Sequence, residues 1–301
     1  MARRAPLSRF AALALFAAAF ACGSPAAPGS SCAGTAGAVC YGSHNYLEYD
    51  AGDLPVVVTV PHGGALEPAA IPDRTIGTTV TDSNTIDLGR AVAAAFQART
   101  GRPVHLVICH LKRTKLDANR ELLEAAQGNP DAVTAWGEYH AFVDQAIATL
   151  KTRYPAGIYV DLHGHGHDKQ RLELGYLLTA ATLDLSDAGL DAGPYRSSSS
   201  LRLANASSST FSAMLRGPMS FGGLLEPGFP SVPSPTMASP GADPYFDGGY
   251  STDRYAAKLA GLQIESNFTG VRDTAVHRAA FAEALVTAVT AFAAKYLGVT
   301  F

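Results

Sequence analysis

The sequence is poor in charge and in cysteine, and each scarcity narrows what it can be. Only 16% of its 301 residues are Asp, Glu, Lys or Arg, and the cations never gather into a basic run interleaved with aromatics. A nucleic-acid surface, which needs such a concentration, is therefore not expected. Serine is abundant, yet no Gly-x-Ser-x-Gly elbow occurs, which leaves a serine hydrolase little support. There is no internal repeat. The apolar run over residues 10–21 is too short to cross a bilayer as a mature helix.

What is present begins with a targeting signature. Arg3, Arg4 and Arg9 form a basic lead-in to that apolar run, and small Ala21 precedes Cys22. Residues 1–21 therefore read as a signal peptide. Cys22-Gly23-Ser24 resembles a bacterial lipoprotein cleavage site, so Cys22 is the expected lipid anchor and the only expected membrane contact. The expected location is a membrane-anchored, exported lipoprotein, with periplasmic or secreted protein as the alternative. Residues 22–42 are small and polar and read as a flexible tether. Cys32 and Cys40, eight positions apart, can close a small disulfide loop in an oxidising compartment. Cys109, inside an apolar run, reads as a buried free thiol. Without the signal peptide, 20 basic residues meet 26 acidic ones, a net charge of −6.

Hydrophobic content of 47% suffices for one full core, so residues 43–301 are expected to form a single catalytic domain. Strands are predicted over 56–60, 104–109, 157–162, 171–179 and 259–265, and helices over about 84–100, 131–153 and 273–297. Alternation of short β-branched runs with long Ala-rich amphipathic segments predicts an α/β layer structure with a mixed, mostly parallel sheet. Residues 180–250, rich in Ser, Pro and Gly, break the rhythm and read as an insertion serving as a lid or site wall.

The chemistry concentrates where strands run out. Gly157-Ile158-Tyr159-Val160 leads into Asp161-Leu162-His163-Gly164-His165-Gly166-His167, either half of a metal site or a solvated His-rich turn. A second apolar run ends in Pro61-His62-Gly63-Gly64. Two such strand ends suggest imidazoles converging at one sheet edge, where open α/β sheets place their sites. Hydrolytic zinc takes three protein ligands and keeps a position for water. Asp82 is the best remaining carboxylate, with a helix N-cap as its structural alternative. Asp161 is a candidate to receive the spare ring N–H of a bound imidazole. Arg113 and Arg120, in a strand-end loop with Asp117 and Asn119, suit a clamp for a substrate carboxylate, or else form an exposed charged loop. Glu265 ends the last predicted strand and would reach the same edge as a proton-transferring carboxylate, unless it forms an ordinary surface ion pair. Glu173 is a second candidate base.

Pro61-His62-Gly63-Gly64, Thr81-Asp82, Arg113 with Asp117-Ala118-Asn119-Arg120, Asp161-Leu162-His163, Phe221 to Glu226 with Pro233-Ser234-Pro235, and Gln263-Ile264-Glu265 together resemble the N-formylglutamate amidohydrolase family. The motifs cover most of residues 55–270. The resemblance implies a zinc-carboxypeptidase-like three-layer fold and a metal-dependent amidohydrolase acting on N-acylated amino acids. It implies that His62, Asp82 and His163 hold one divalent ion, expected to be Zn2+. It further implies that Arg113, Asn119 and Arg120 handle the substrate carboxylate and that Glu265 is the catalytic carboxylate. His165 or an arginine is expected to assist the oxyanion. His165 and His167 depart from the family pattern, as does export, which leaves the substrate open. The expected partner is a small-molecule or peptide amide bearing a carboxylate. An exported zinc metallopeptidase or carboxypeptidase acting on peptides or cell-wall fragments is the alternative, and a non-catalytic metal- or solute-binding lipoprotein a third reading.

Overall fold

A computed structural model describes residues 35–204 and 209–301. The signal peptide, Cys22 and Cys32 lie outside the described residues. The first elements are strands β1 (Val39–Tyr41), β2 (Leu47–Asp50) and β3 (Val56–Val60), helix α1 (Thr85–Thr100), strand β4 (His105–Cys109), and helices α2 (Leu122–Ala126) and α3 (Pro130–Lys151). Strands β5 (Ile158–Gly164) and β6 (Leu172–Gly175) follow. Then come α4 (Ala180–Leu183), α5 (Asp187–Ala192), α6 (Tyr195–Ser198), α7 (Phe211–Arg216), α8 (Phe221–Leu225), β7 (Ser231–Val232), α9 (Tyr250–Ala256), β8 (Ala260–Ser266) and α10 (Ala275–Tyr296).

The eight strands join one sheet in the order β1-β2-β4-β3-β5-β8-β6-β7. The middle four, β4-β3-β5-β8, are parallel, while β2 and β6 flank them antiparallel. Parallel strands are covered on both faces and so read as continuous apolar runs, as Val56–Val60 does with all five residues buried. Their alternation sorts the layers. Val56, Val58 and Val60 face α1 and α10, whereas Val57, Val107 and Tyr159 face α3. The chain goes from β3 to β4 on one side and then crosses to β5 on the other. The crevice between β3 and β5 is thus a topological switch point, where ligands of such sheets bind.

Two stretches differ from the sequence-based expectation. The supposed tether ends in structure: Val39, Cys40 and Tyr41 pair antiparallel with Asp50, Tyr49 and Glu48 as an edge strand. Cys40 is disulfide-bonded. The Ser-rich insertion carries five short helices among its described residues. Its serines and threonines act as N-caps: Thr179, Ser186, Thr210 and Ser220 each accept a backbone N–H three residues on, the interaction that starts a helix. Phe221, expected on a lid, stacks on Phe292 of α10 at 4.2 Å between ring centroids. The insertion thus sends its apolar residues, such as Leu183, Leu190, Met214 and Phe221, into the core, and only its last residues line the site. Cys109 is the buried free thiol expected, its pKa pushed up to about 12 by burial.

Candidate metal centre and active site

His62 leaves the end of β3, and His163 is the sixth residue of β5. Gly64 lets the chain after His62 run against β4: a Cβ there would sit 2.3 Å from the His110 backbone. Asp82 arrives on the loop before α1. Its side chain does not cap that helix, whose N-cap is Asn84, because Asp82 Oδ2 turns to the two imidazoles and to the Gly164 N–H at 3.2 Å.

Three donor atoms meet in a small triangle. His62 Nδ1 and His163 Nδ1 are 3.0 Å apart, and Asp82 Oδ2 lies 3.4 Å from the first and 3.3 Å from the second. All three residues are buried, at 1%, 2% and 6% exposure. The outer nitrogens are backed by acids. His62 Nε2 donates to Asp117 Oδ1 at 2.6 Å, which leaves the Nδ1 lone pair facing the triangle. His163 Nε2 is 3.0 Å from Asp161 Oδ2, an ion-pair contact rather than an aligned hydrogen bond. Asp161 itself accepts from Thr59 at 2.6 Å. Asp161 thus lies beside the outer nitrogen of His163.

The donor set fits a divalent cation. Zinc bonds of about 2.0–2.1 Å to N and O put tetrahedral neighbours roughly 3.3 Å apart, close to the separations found. Two lone pairs facing at 3.0 Å repel unless a proton or a cation lies between them. The electrostatics say the same. Burial opposes charge on His163, but Asp161 and Asp82 outweigh it and raise its pKa well above the histidine range. Burial likewise opposes ionisation of Asp82 and Asp117, yet the imidazoles hold both well below the usual carboxylate range. The pocket is built for positive charge.

Glu265 is the register partner of His163 on β8, and both line a cavity of about 360 Å3 together with His62 and Asp82. Burial pushes the Glu265 pKa up to about 8 against the attraction of His163. Gln263 Nε2 donates to Glu265 Oε1 at 2.9 Å and fixes its orientation. The remaining expected residues separate. Arg120, about one-third exposed, lines the cavity, donating to the Asn119 carbonyl and pairing with Glu124. Arg113 also lines it but gives Nε to Asp117 Oδ2 at 2.9 Å, and its Nη1 lies 3.6 Å from Asp82 Oδ1. It neutralises the ligand acids first. Asn119, held by the Ser251 N–H, sits 3.3 Å from His163 Nε2.

Two expectations are corrected. His165 was expected at the oxyanion, yet its Nδ1 accepts the His167 backbone N–H at 3.1 Å and its Nε2 donates to the Arg171 carbonyl at 2.8 Å. With both nitrogens committed, it braces a loop. Glu173, the second candidate base, is fully buried and spends Oε1 on His167 Nδ1 and Oε2 on the Phe246 N–H, at 2.8 and 2.9 Å. His165, His167 and Glu173 are close enough to hold a cation, but both His165 nitrogens, His167 Nδ1 and both Glu173 oxygens are already hydrogen-bonded.

Sequence reasoning missed the role of Asp117 as the partner of His62. Its signal was an acid flanked by apolar Leu116 and Ala118 inside a charged run. It also missed Arg272, buried after β8, whose guanidinium donates to the carbonyls of Ser83, His165 and Ser266. That one side chain ties together the loops carrying Asp82, the His-rich turn and the end of β8. Gly164 makes room for it, since a Cβ there would meet the guanidinium carbon at 2.2 Å.

No family model and no curated protein matches the chain. It is similar to solved structures, among them an N-formylglutamate amidohydrolase from Ralstonia eutropha, at 15% identity and a TM-score of 0.47 over 82% of this chain and 95% of that one. A gene product of Agrobacterium tumefaciens gives 14%, 0.46, 81% and 93%. An N-acetylmuramyl-L-alanine amidase from Mycobacterium smegmatis gives 15%, 0.31, 79% and 95%. Likenesses this distant carry no assignment, which rests on the geometry.

Proposed function

We propose that the protein is a metal-dependent amidohydrolase that cleaves the amide of an N-acylated amino acid or a related carboxylate-bearing amide. The observation that carries this reading is the triangle of His62, Asp82 and His163 donors sharing one cavity with buried Glu265. Glu265 lines the same cavity without belonging to the triangle, and a carboxylate in that position favours an enzyme over a binder.

His62, Asp82 and His163 would hold the ion, with Asp117 and Asp161 fixing the imidazoles from behind. Zinc bound there supplies Lewis acidity toward an amide carbonyl and brings the pKa of a bound water from about 15.7 to about 7. Glu265 takes a proton from the attacking water and delivers it to the leaving nitrogen. Burial suits it to both tasks, because a carboxyl raised to about 8 holds a proton at neutral pH until a neighbouring positive charge draws it off. Arg120, with Asn119 and the less available Arg113, receives the substrate carboxylate. The same machinery would serve an exported peptidase, which differs in the bond presented. Export through residues 1–21 and anchoring at Cys22 belong to this proposal, supported by the disulfide at Cys40.

The test is an activity panel of N-acyl amino acids and short peptides, with and without chelator. Release of the acyl acid, abolished by chelation and restored by zinc, is expected. Turnover insensitive to chelator would refute the metal mechanism, and release of a C-terminal residue alone would move the reading to a carboxypeptidase.

A further inference from the structure

Across the sheet edge the site residues follow the strand order. The arginine loop after β4 comes first, then His62 at β3, His163 at β5 and Glu265 at β8. Beyond Glu265, next to β6, the cavity wall changes character. His167 and Phe246 stack there at 4.7 Å between centroids and 12° between planes, and both line the cavity. Buried Glu173 holds the two together, accepting from the ring of one and the backbone of the other. Phe246 nonetheless remains 43% exposed. An aromatic held rigidly with much of its surface in water is a place where an apolar group gains by binding. Gly166 and Gly248 also line the cavity, without side chains to fill it.

We infer that this end is an acyl subsite for a flat apolar group of benzoyl size, with the His167–Phe246 stack as its wall and the substrate carboxylate at the opposite, arginine end. The inference rests on the amidohydrolase reading and deepens it. A formyl group offers no surface to lay on the stack, whereas a benzoyl group spans it. His167 is kept in plane by Glu173 and acts as wall. Phe246 is the specificity-determining residue.

The experiment compares N-formyl-, N-acetyl- and N-benzoyl-glutamate as substrates of the zinc-loaded protein, its Phe246→Ala variant and its Phe246→Leu variant. The wild type is expected to prefer benzoyl over acetyl about tenfold in kcat/KM. Phe246→Ala should lower that preference by about 3- to 10-fold through KM, and Phe246→Leu, which keeps apolar area, by less. Calorimetric binding of N-benzoyl-glutamate to Glu265→Gln gives the readout without turnover, and adding Phe246→Ala should weaken it by a similar factor. Faster cleavage of the formyl or acetyl compound, or an equal loss on all three in Phe246→Ala, overturns the inference alone. Cleavage of none of the three, while other N-acyl amino acids of the panel are hydrolysed, overturns the inference alone; no chelator-sensitive acyl release from any of them sinks the amidohydrolase reading and this inference with it.

Discussion

Two histidine clusters lie within a few residues of each other on β5 and its following turn, and they differ in where their nitrogens point. In His62–Asp82–His163 the outer nitrogens face Asp117 and Asp161, so the inner donors are left for one another at 3.0 to 3.4 Å. In His165–His167–Glu173 both His165 nitrogens, His167 Nδ1 and both carboxylate oxygens are spent on the backbone or on each other. Residue type is nearly the same in both, and the chemistry is opposite. The first cluster leaves three facing donor atoms at a spacing that fits a cation, and the second is a bracket that shapes a wall. The difference is made by acids outside the clusters, which set the tautomer and free the facing lone pair.

Substitutions that respect this contrast should have unequal effects. The largest is expected for Asp82→Ala, which removes one of three ligands and should reduce amide turnover to background, measured as acyl release with zinc in excess. Glu265→Gln should lower kcat by about 10²- to 10⁴-fold while metal content, read by elemental analysis, stays at the wild-type level. Asp117→Asn, which touches no ion, should weaken metal affinity about 10- to 100-fold in a chelator competition. Asp50 shows what burial does to an acid that belongs to neither cluster. Burial and then neighbouring Glu48 push its pKa up to about 6. The folded state thus keeps a proton that the unfolded chain, at about 3.9, has lost, and stability falls as pH rises between those values. Asp50→Asn removes that decline and should raise Tm by about 2 °C above pH 6, the gain vanishing below pH 4 in thermal melts. Equal damage from Asp82→Ala and from a conservative Glu173→Gln exchange would erase the distinction between the clusters.

Much of this was legible in the sequence. Parallel strands buried on both faces announce themselves as β-branched runs, which is why β3, β4, β5 and β8 fell where expected, with His62 and His163 at or near their ends. The edge pair β1–β2 was hidden, since three residues of an edge strand in a Gly- and Ala-rich stretch carry no period. The insertion misled by composition: its serines cap helices as readily as they line loops. Side-chain direction was the deepest gap. Nothing in His163-Gly164-His165-Gly166-His167 says that the first ring faces His62 and Asp82 and the second faces two backbone groups, because His62, Asp82 and Arg171 come from segments that only the fold brings to these rings. Arg272 was invisible for the same reason, as its three acceptors are carbonyls.

The central claim is that one cation belongs to the first cluster and none to the second. Elemental analysis of purified protein alongside His163→Ala and His165→Ala variants tests it most directly. The account predicts one equivalent of zinc per chain in the wild type and in His165→Ala and none in His163→Ala. Two equivalents in the wild type, or an equivalent that survives in His163→Ala and is lost from His165→Ala, would contradict it.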